Sequence, residues 1–139
     1  MTVVIDTNVF VSASASLTGS ARSCFFLLAR RRFRLVVTRE ILAEYETTAE
    51  RLSRRPGKHE GMAWRPLFRW VSDKALLVEA VPLGKQRSRD ADDDIFLACA
   101  LAGQANVIVS HDKDLLALEK PFGVEIMRPA AFVARFSHS

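Results

Sequence analysis

The sequence predicts an α/β fold of three layers, with a central parallel sheet between two layers of helices. Three observations carry this. The runs Val3-Val4-Ile5, Leu35-Val36-Val37 and Val107-Ile108-Val109 are short, unbroken and rich in β-branched residues. Such runs read as strands buried on both faces, usual for the inner strands of a parallel sheet. Stretches with helical apolar spacing separate them, and alternation of strands with helices is the pattern of a parallel sheet covered on both sides. Finally, Asp6 ends the first run and Asp112 follows the third. In open α/β sheets the carboxyl edge of the strands is where ligands bind.

The chain has 139 residues, enough for one domain with a substantial core and too few for two ordinary ones. Its hydrophobic fraction of 49% and charged fraction of 26% suit a soluble globular protein. Asp6 interrupts the N-terminal apolar run, so no signal peptide is expected, and no run approaches the length of a transmembrane helix. Cys24 and Cys99 sit in apolar surroundings and read as buried free thiols of a cytosolic protein rather than as a disulfide or metal ligands. The net charge of +4 allows a polyanionic partner without requiring one.

After the first strand comes Val9-Phe10-Val11, then a small-residue loop over 12–20. A helix is expected over 21–32, with Cys24, Phe25, Leu27 and Leu28 inward. The second strand is 35–38, followed by a helix over 39–53 carrying Ile41, Leu42, Tyr45, Ala49 and Leu52 at helical spacing. Pro56-Gly57 breaks the chain. A helix over 59–71 presents Met62, Trp64, Leu67, Phe68 and Trp70, and a strand follows over 75–81, ended by Pro82-Leu83-Gly84. The polar loop 85–93 leads to a helix that opens at Asp94 and stops at Gly103. The third apolar strand is 107–110, a short helix covers 114–118, an edge strand 124–126, and Pro129 starts the last helix. Phe132, Val133 and Phe136 form its apolar face. No repeat or low-complexity segment is visible.

Four acids share this frame. Asp6 and Asp112 stand at strand ends, Asp94 opens a helix, and Glu44 lies within the helix after the second strand, beside Tyr45. Each has a plainer reading alone: Asp6, Asp94 and Asp114 as helix caps, Glu44 as a solvated helix residue, and Asp90-Ala-Asp-Asp-Asp94 as a solvated loop. With parallel, adjacent strands all four converge at one sheet edge. Four anions there need a counter-charge. An all-oxygen donor set suits Mg²⁺ or Mn²⁺, and no His/Cys set favours zinc. Ions of this kind activate water for attack on a phosphodiester without a protein nucleophile, and no Ser/His/Asp or Cys/His arrangement stands out.

These residues carry a family resemblance. Val4-Ile5-Asp6-Thr7-Asn8-Val9, Glu44 in Ile-Leu-Ala-Glu-Tyr, Asp-Ala-Asp-Asp-Asp-Ile-Phe-Leu-Ala from Asp90, and Val-Ser-His-Asp-Lys-Asp-Leu-Leu from Val109 resemble the PIN domain. The likeness is greatest to the toxin-type, VapC-like PIN endoribonucleases of prokaryotic toxin–antitoxin pairs, and it spans essentially the whole chain. No single motif is very specific; the ordered set of four is. The resemblance implies a metal-dependent endoribonuclease with Asp6, Glu44, Asp94 and Asp112 as catalytic and metal-binding acids and Mg²⁺ or Mn²⁺ as cofactor. Asp93 and Asp114 are further possible ligands, Asp93 replacing Asp94 if the helix starts one residue earlier. Thr7, Asn8 and Ser110 are the supporting polar residues. His111 departs from the small or basic residue expected there. The resemblance also implies an RNA substrate, a cognate antitoxin protein, a homodimer, no membrane partner and a cytoplasmic setting.

Basic residues cluster at 30–34, at Arg51, Arg54, Arg55 and Lys58, and at Lys85, Arg87 and Arg89. Cations at helix C-termini are ordinary, yet Arg54, Arg55, Lys85, Arg87 and Arg89 adjoin the site-bearing helices and are the candidates for phosphate binding along RNA. Two other functions compete. A phosphatase of the haloacid dehalogenase type also begins with an apolar strand and Asp, but it wants a second Asp where this chain has Asn8. A non-catalytic PIN-like module that binds RNA or protein has no need to keep four carboxylates.

Overall fold

The structure is a computed structural model that describes residues 1–30, 33–81, 83–88 and 93–137. Five strands form one parallel sheet: β1 Thr2–Ile5, β2 Arg34–Val37, β3 Leu76–Leu77, β4 Val107–Val109 and β5 Glu125–Met127. Their order is β3-β2-β1-β4-β5. Val3 pairs with Leu35 on one side and Val107 on the other, and Ile5 pairs with Val109. The helices are α1 Thr7–Ala15, α2 Ser20–Ala29, α3 Arg39–Arg54, α4 Arg65–Lys74, α5 Asp94–Ala102, α6 Lys113–Leu116 and α7 Pro129–Phe136.

This is the three-layer α/β/α arrangement with a central parallel sheet. Val3, Val4, Ile5, Val36, Ile108 and Val109 are fully buried, as the unbroken apolar runs require. Burial of each such side chain stabilises by about 1.5–3 kcal/mol. From β1 the chain steps outward to β2 and β3, then crosses back to β4 on the other flank of β1. The strand order therefore reverses between β1 and β4, and a crevice is expected at their carboxyl ends. Asp6 and Ser110 follow those two strands. Both cysteines are buried free thiols, and burial pushes each up to about 12. Neither is a nucleophile at neutral pH.

Three boundaries differ most from the sequence expectation. Residues 12–15 are helical, because Asp6 caps α1 and the helix buries Val9, Phe10, Ala13 and Ser14; tertiary packing outweighs the modest helix propensity of the serines. Helix α4 begins at Arg65 rather than near His59. Pro66 fits the first turn of a helix and would break its interior, while Gly57 and Gly61 take positive φ values before it. Strand β3 is only two residues long, an edge strand beside β2. The stripe Trp64, Leu67, Phe68, Trp70 packs into or against the core.

Helix α5 ends where the sequence places its stop, at Gly103. A Cβ there would lie 3.0 Å from Val36 Cγ2 and 3.2 Å from Val36 Cβ. Its φ of −89° is ordinary, so the constraint is steric. Gly103→Ala is expected to cost about 1–3 kcal/mol by overpacking. Urea unfolding measures it; an unchanged midpoint would show that α5 can move off β2 freely.

Candidate active site

The site is built on the ends of β1 and β4. Asp6 is buried and serves as N-cap of α1: its Oδ1 accepts the Val9 N–H at 3.1 Å. Its Oδ2 accepts a hydrogen bond from the Ser110 hydroxyl. Ser110 Oγ in turn accepts the Asp112 N–H at 2.9 Å, so this one buried serine joins the two strand-end acids. Asp112 caps α6, its Oδ1 accepting the N–H groups of Asp114 at 2.7 Å and Leu115 at 3.2 Å. The plain reading of Asp6 as a cap is therefore correct and does not compete with a second role, whereas α6 is capped by Asp112 and not, as expected, by Asp114. Each cap places a carboxylate at the carboxyl edge of the sheet.

Asp93, Asp112 and Asp114 each bring a carboxylate oxygen to within 4.8 Å of the others. Asp93 is buried and stands at the N-cap position of α5 without capping that helix. The Ser88 hydroxyl approaches its Oδ2 at 3.5 Å. Asp94 is engaged differently. Its Oδ2 accepts the Arg87 N–H and its Oδ1 the Ser88 N–H, both at 2.8 Å. Of the four acids expected from the sequence, Asp112 lies in the close cluster, and Asp93 and Asp114 join it. The oxygens of Asp6, Glu44 and Asp94 are not part of that set. The negative charges of Asp6 and Glu44 both act on the Tyr45 hydroxyl. That hydroxyl donates to the Ile5 carbonyl, and burial, more than those charges, pushes it well above its usual range.

The cluster could hold a cation. Carboxylate oxygens within 4.8 Å of one another repel when ionised, which favours a bound counter-charge. Three hard oxygen donors suit Mg²⁺ or Mn²⁺, and no His or Cys joins them among the described residues. The Thr7 hydroxyl, next to Asp6 in the chain, is buried with no hydrogen-bond partner. The donor chemistry and this orphaned hydroxyl both fit a hard divalent ion. Asn8 and His111 are exposed.

Among the cations, Arg54 is tied to Glu50 at 2.6 Å, and Arg65 shares that carboxylate at 3.0 Å. Arg55 and Lys85 are exposed. The Arg87 guanidinium lies 5.3 Å from the centre of the exposed Phe122 ring. Arg89, together with Asp90 and Asp92 of the acidic run, lies outside the described residues. Sequence reading did not single out Phe122 or Ser88. Two left-handed residues, Lys120 and Phe122, mark that turn, a conformation that sequence does not announce in non-glycine residues.

The PIN domain profile matches residues 2–114. The chain belongs to the PIN domain family. Among solved structures it is similar to the crystal structure of VapBC2 from Rickettsia felis bound to a DNA fragment from their promoter, at 17% identity and a TM-score of 0.61, over 91% of this chain and 97% of that one. It is also similar to FitAcB from Neisseria gonorrhoeae, at 15% identity and a TM-score of 0.51, over 92% of this chain and 98% of that one. At such identities the likeness speaks for the fold. None of the curated proteins matches. No helix among the described residues of this PIN domain is long and apolar enough to cross a membrane.

One consequence of the buried Asp6 is a pH dependence. Burial raises its pKa most; the Ser110 hydroxyl, the Val9 N–H and His111 hold it down in part, and Asp112 adds to the rise. A carboxyl with a raised folded pKa binds its proton more tightly in the folded state than in the unfolded one. As pH falls through that folded pKa towards the unfolded value near about 4, the metal-free protein gains stability from this group, and the gain levels off below it. Asp6→Asn removes this contribution while an oxygen remains to cap α1. Urea unfolding of both proteins in chelator across the acid range should show the parent gaining on the variant as pH drops. Parallel curves would refute the buried-carboxyl account.

Proposed function

We propose that this PIN domain is a divalent-metal-dependent endoribonuclease and the toxin component of a toxin–antitoxin pair. The observation that carries the proposal is the convergence of Asp93, Asp112 and Asp114 at the carboxyl edge of a PIN fold, beside buried Asp6. These residues, with Asp6 and Glu44 supplying further negative charge, would hold Mg²⁺ or Mn²⁺. When bound, such an ion supplies Lewis-acid stabilisation of the charge that develops on the phosphodiester and favours ionisation of the attacking water. The chain's own residues hold and orient. Asp112 is fixed by the α6 N–H groups, and Asp6 by Ser110 and Val9. Lys85, Arg87 and Arg55 are exposed and would meet phosphates along the RNA, and Arg54 would join them only by sharing or leaving Glu50.

Family and fold support a protein partner. A structure to which the chain is similar is of VapBC2 with promoter DNA, and the resemblance to toxin-type PIN proteins implies a protein antitoxin for this chain and assembly as a homodimer. Light scattering of the purified protein tests the dimer. Single-stranded RNA with Mg²⁺ or Mn²⁺ should be cut, and excess EDTA should stop it; undiminished cutting in chelator would overturn the metal dependence. The haloacid dehalogenase alternative predicts phosphomonoester hydrolysis without RNA cleavage.

Arg55→Ala is expected to weaken RNA binding across sequences. Removing one phosphate-neutralising cation reduces the slope of log K against log salt by about 0.7 for a single strand. Arg54→Ala should do less, because its guanidinium is already committed to Glu50. Equal slopes in parent and Arg55→Ala would make Arg55 a solvated helix end.

A further inference from the structure

Asp93 and Asp94 are adjacent acids with different partners. Asp93 turns to the carboxylate cluster. Asp94 has both oxygens occupied by backbone N–H groups of the loop that leads into α5, Arg87 and Ser88, at 2.8 Å each. Bonds from amide donors to an ionised acceptor are among the stronger hydrogen bonds. Drawing Asp94 away would leave two N–H groups to find other partners, one of them on buried Ser88. The same loop is tied at a second point, where the Arg87 guanidinium covers the Phe122 ring. It carries Lys85 and Arg87, and it reaches the acid cluster through the Ser88 hydroxyl, 3.5 Å from Asp93 Oδ2.

We infer that Asp94 is a positioning residue that clamps the loop over 83–88, fixing where Lys85 and Arg87 meet the phosphates of RNA, while Asp93 takes the place beside Asp112 in the metal cluster. The substrate half of this inference rests on the ribonuclease reading; the clamp does not. A ligand carboxylate and a clamp carboxylate respond oppositely to substitution. Asp94→Ala frees the loop, so trypsin should cut after Lys85 and Arg87 about tenfold faster in native buffer, a loss of protection equal to about 1.4 kcal/mol. Asp94→Asn keeps one acceptor oxygen and should restore part of the protection. Both variants should keep most of the upward shift in melting temperature that Mn²⁺ gives the parent. For RNA cleavage, Asp94→Ala should raise KM by more than it lowers kcat. Asp93→Asn should do the reverse: loop protection as in the parent, and the Mn²⁺ shift lost.

The proposal is overturned if Asp94→Ala and Asp94→Asn lose the Mn²⁺ shift while the loop stays protected, or if Asp93→Asn leaves that shift intact. Circular dichroism shows whether Asp94→Ala folds; if it does not, Asp94→Asn decides alone, by faster loop cleavage with the Mn²⁺ shift retained. Should the parent neither cut RNA nor respond to Mn²⁺, the ribonuclease reading fails, and tryptic cleavage of the loop still decides whether Asp94 is its clamp.

Discussion

Asp112→Asn and Asp93→Asn are each expected to lower RNA cleavage by on the order of 10³, since a cation that stabilises phosphoryl charge contributes several kcal/mol to the barrier and each 1.36 kcal/mol is tenfold. Asp112 is the sharper test because its two duties separate. Its Oδ1 caps α6 through Asp114 and Leu115, and an asparagine oxygen can do the same. The fold should therefore persist in Asp112→Asn while the charge that faces Asp93 and Asp114 disappears. In chelator the variant should melt no lower than the parent, because one repulsion within the cluster is relieved. With Mn²⁺ the parent should gain stability by mass action, about 2.7 kcal/mol at a hundredfold excess over Kd, and the variant should gain far less. Cleavage within tenfold of the parent together with an intact Mn²⁺ shift would remove Asp112 from any metal site.

Much of this was legible because the strands are short and buried on both faces. The runs ending at Ile5, Val37 and Val109 have few alternatives to inner parallel strands, and an acid placed just beyond such a strand is delivered to the carboxyl edge by topology alone. That is why Asp6 and Asp112 can be read from the chain, and why the PIN resemblance agrees with the fold. What could not be read is which oxygen faces what. Asp93 and Asp94 are adjacent and chemically identical, and which partners each meets depends on how residues 87 and 88 approach α5. Ser110 was readable as a polar neighbour but not as the bridge between Asp6 and Asp112, because that role requires the register of β1 on β4. The helical state of residues 12–15 was hidden for a related reason: serine and alanine there follow the packing of Phe10 and Val9, not a local preference of their own.

That packing sets the largest expected loss of stability. Phe10 is fully buried and lies parallel to Tyr45, ring centres 4.4 Å apart, with Phe25 and Phe68 edge-on at 6.5 and 6.3 Å. Truncation to alanine removes a ring from the junction of α1, α2, α3 and α4, where neighbours on four helices cannot all collapse into the gap. Phe10→Ala is expected to cost about 3–5 kcal/mol, a large part of the roughly 5–15 kcal/mol that a domain of this kind holds in reserve. Phe10→Leu refills most of the volume and should cost less than half as much. Tyr45→Phe keeps the ring and removes only the hydroxyl that donates to the Ile5 carbonyl, so about 1–3 kcal/mol is expected from the carbonyl left without it. Ile5 immediately precedes Asp6, so this hydrogen bond also holds the end of β1 where the buried carboxylate begins. Urea unfolding orders the three variants. If Phe10→Ala loses less than Tyr45→Phe, the aromatic stack is not what secures α1 against α3, and the position of Asp6 must depend on its hydrogen bonds to Val9 and Ser110 instead.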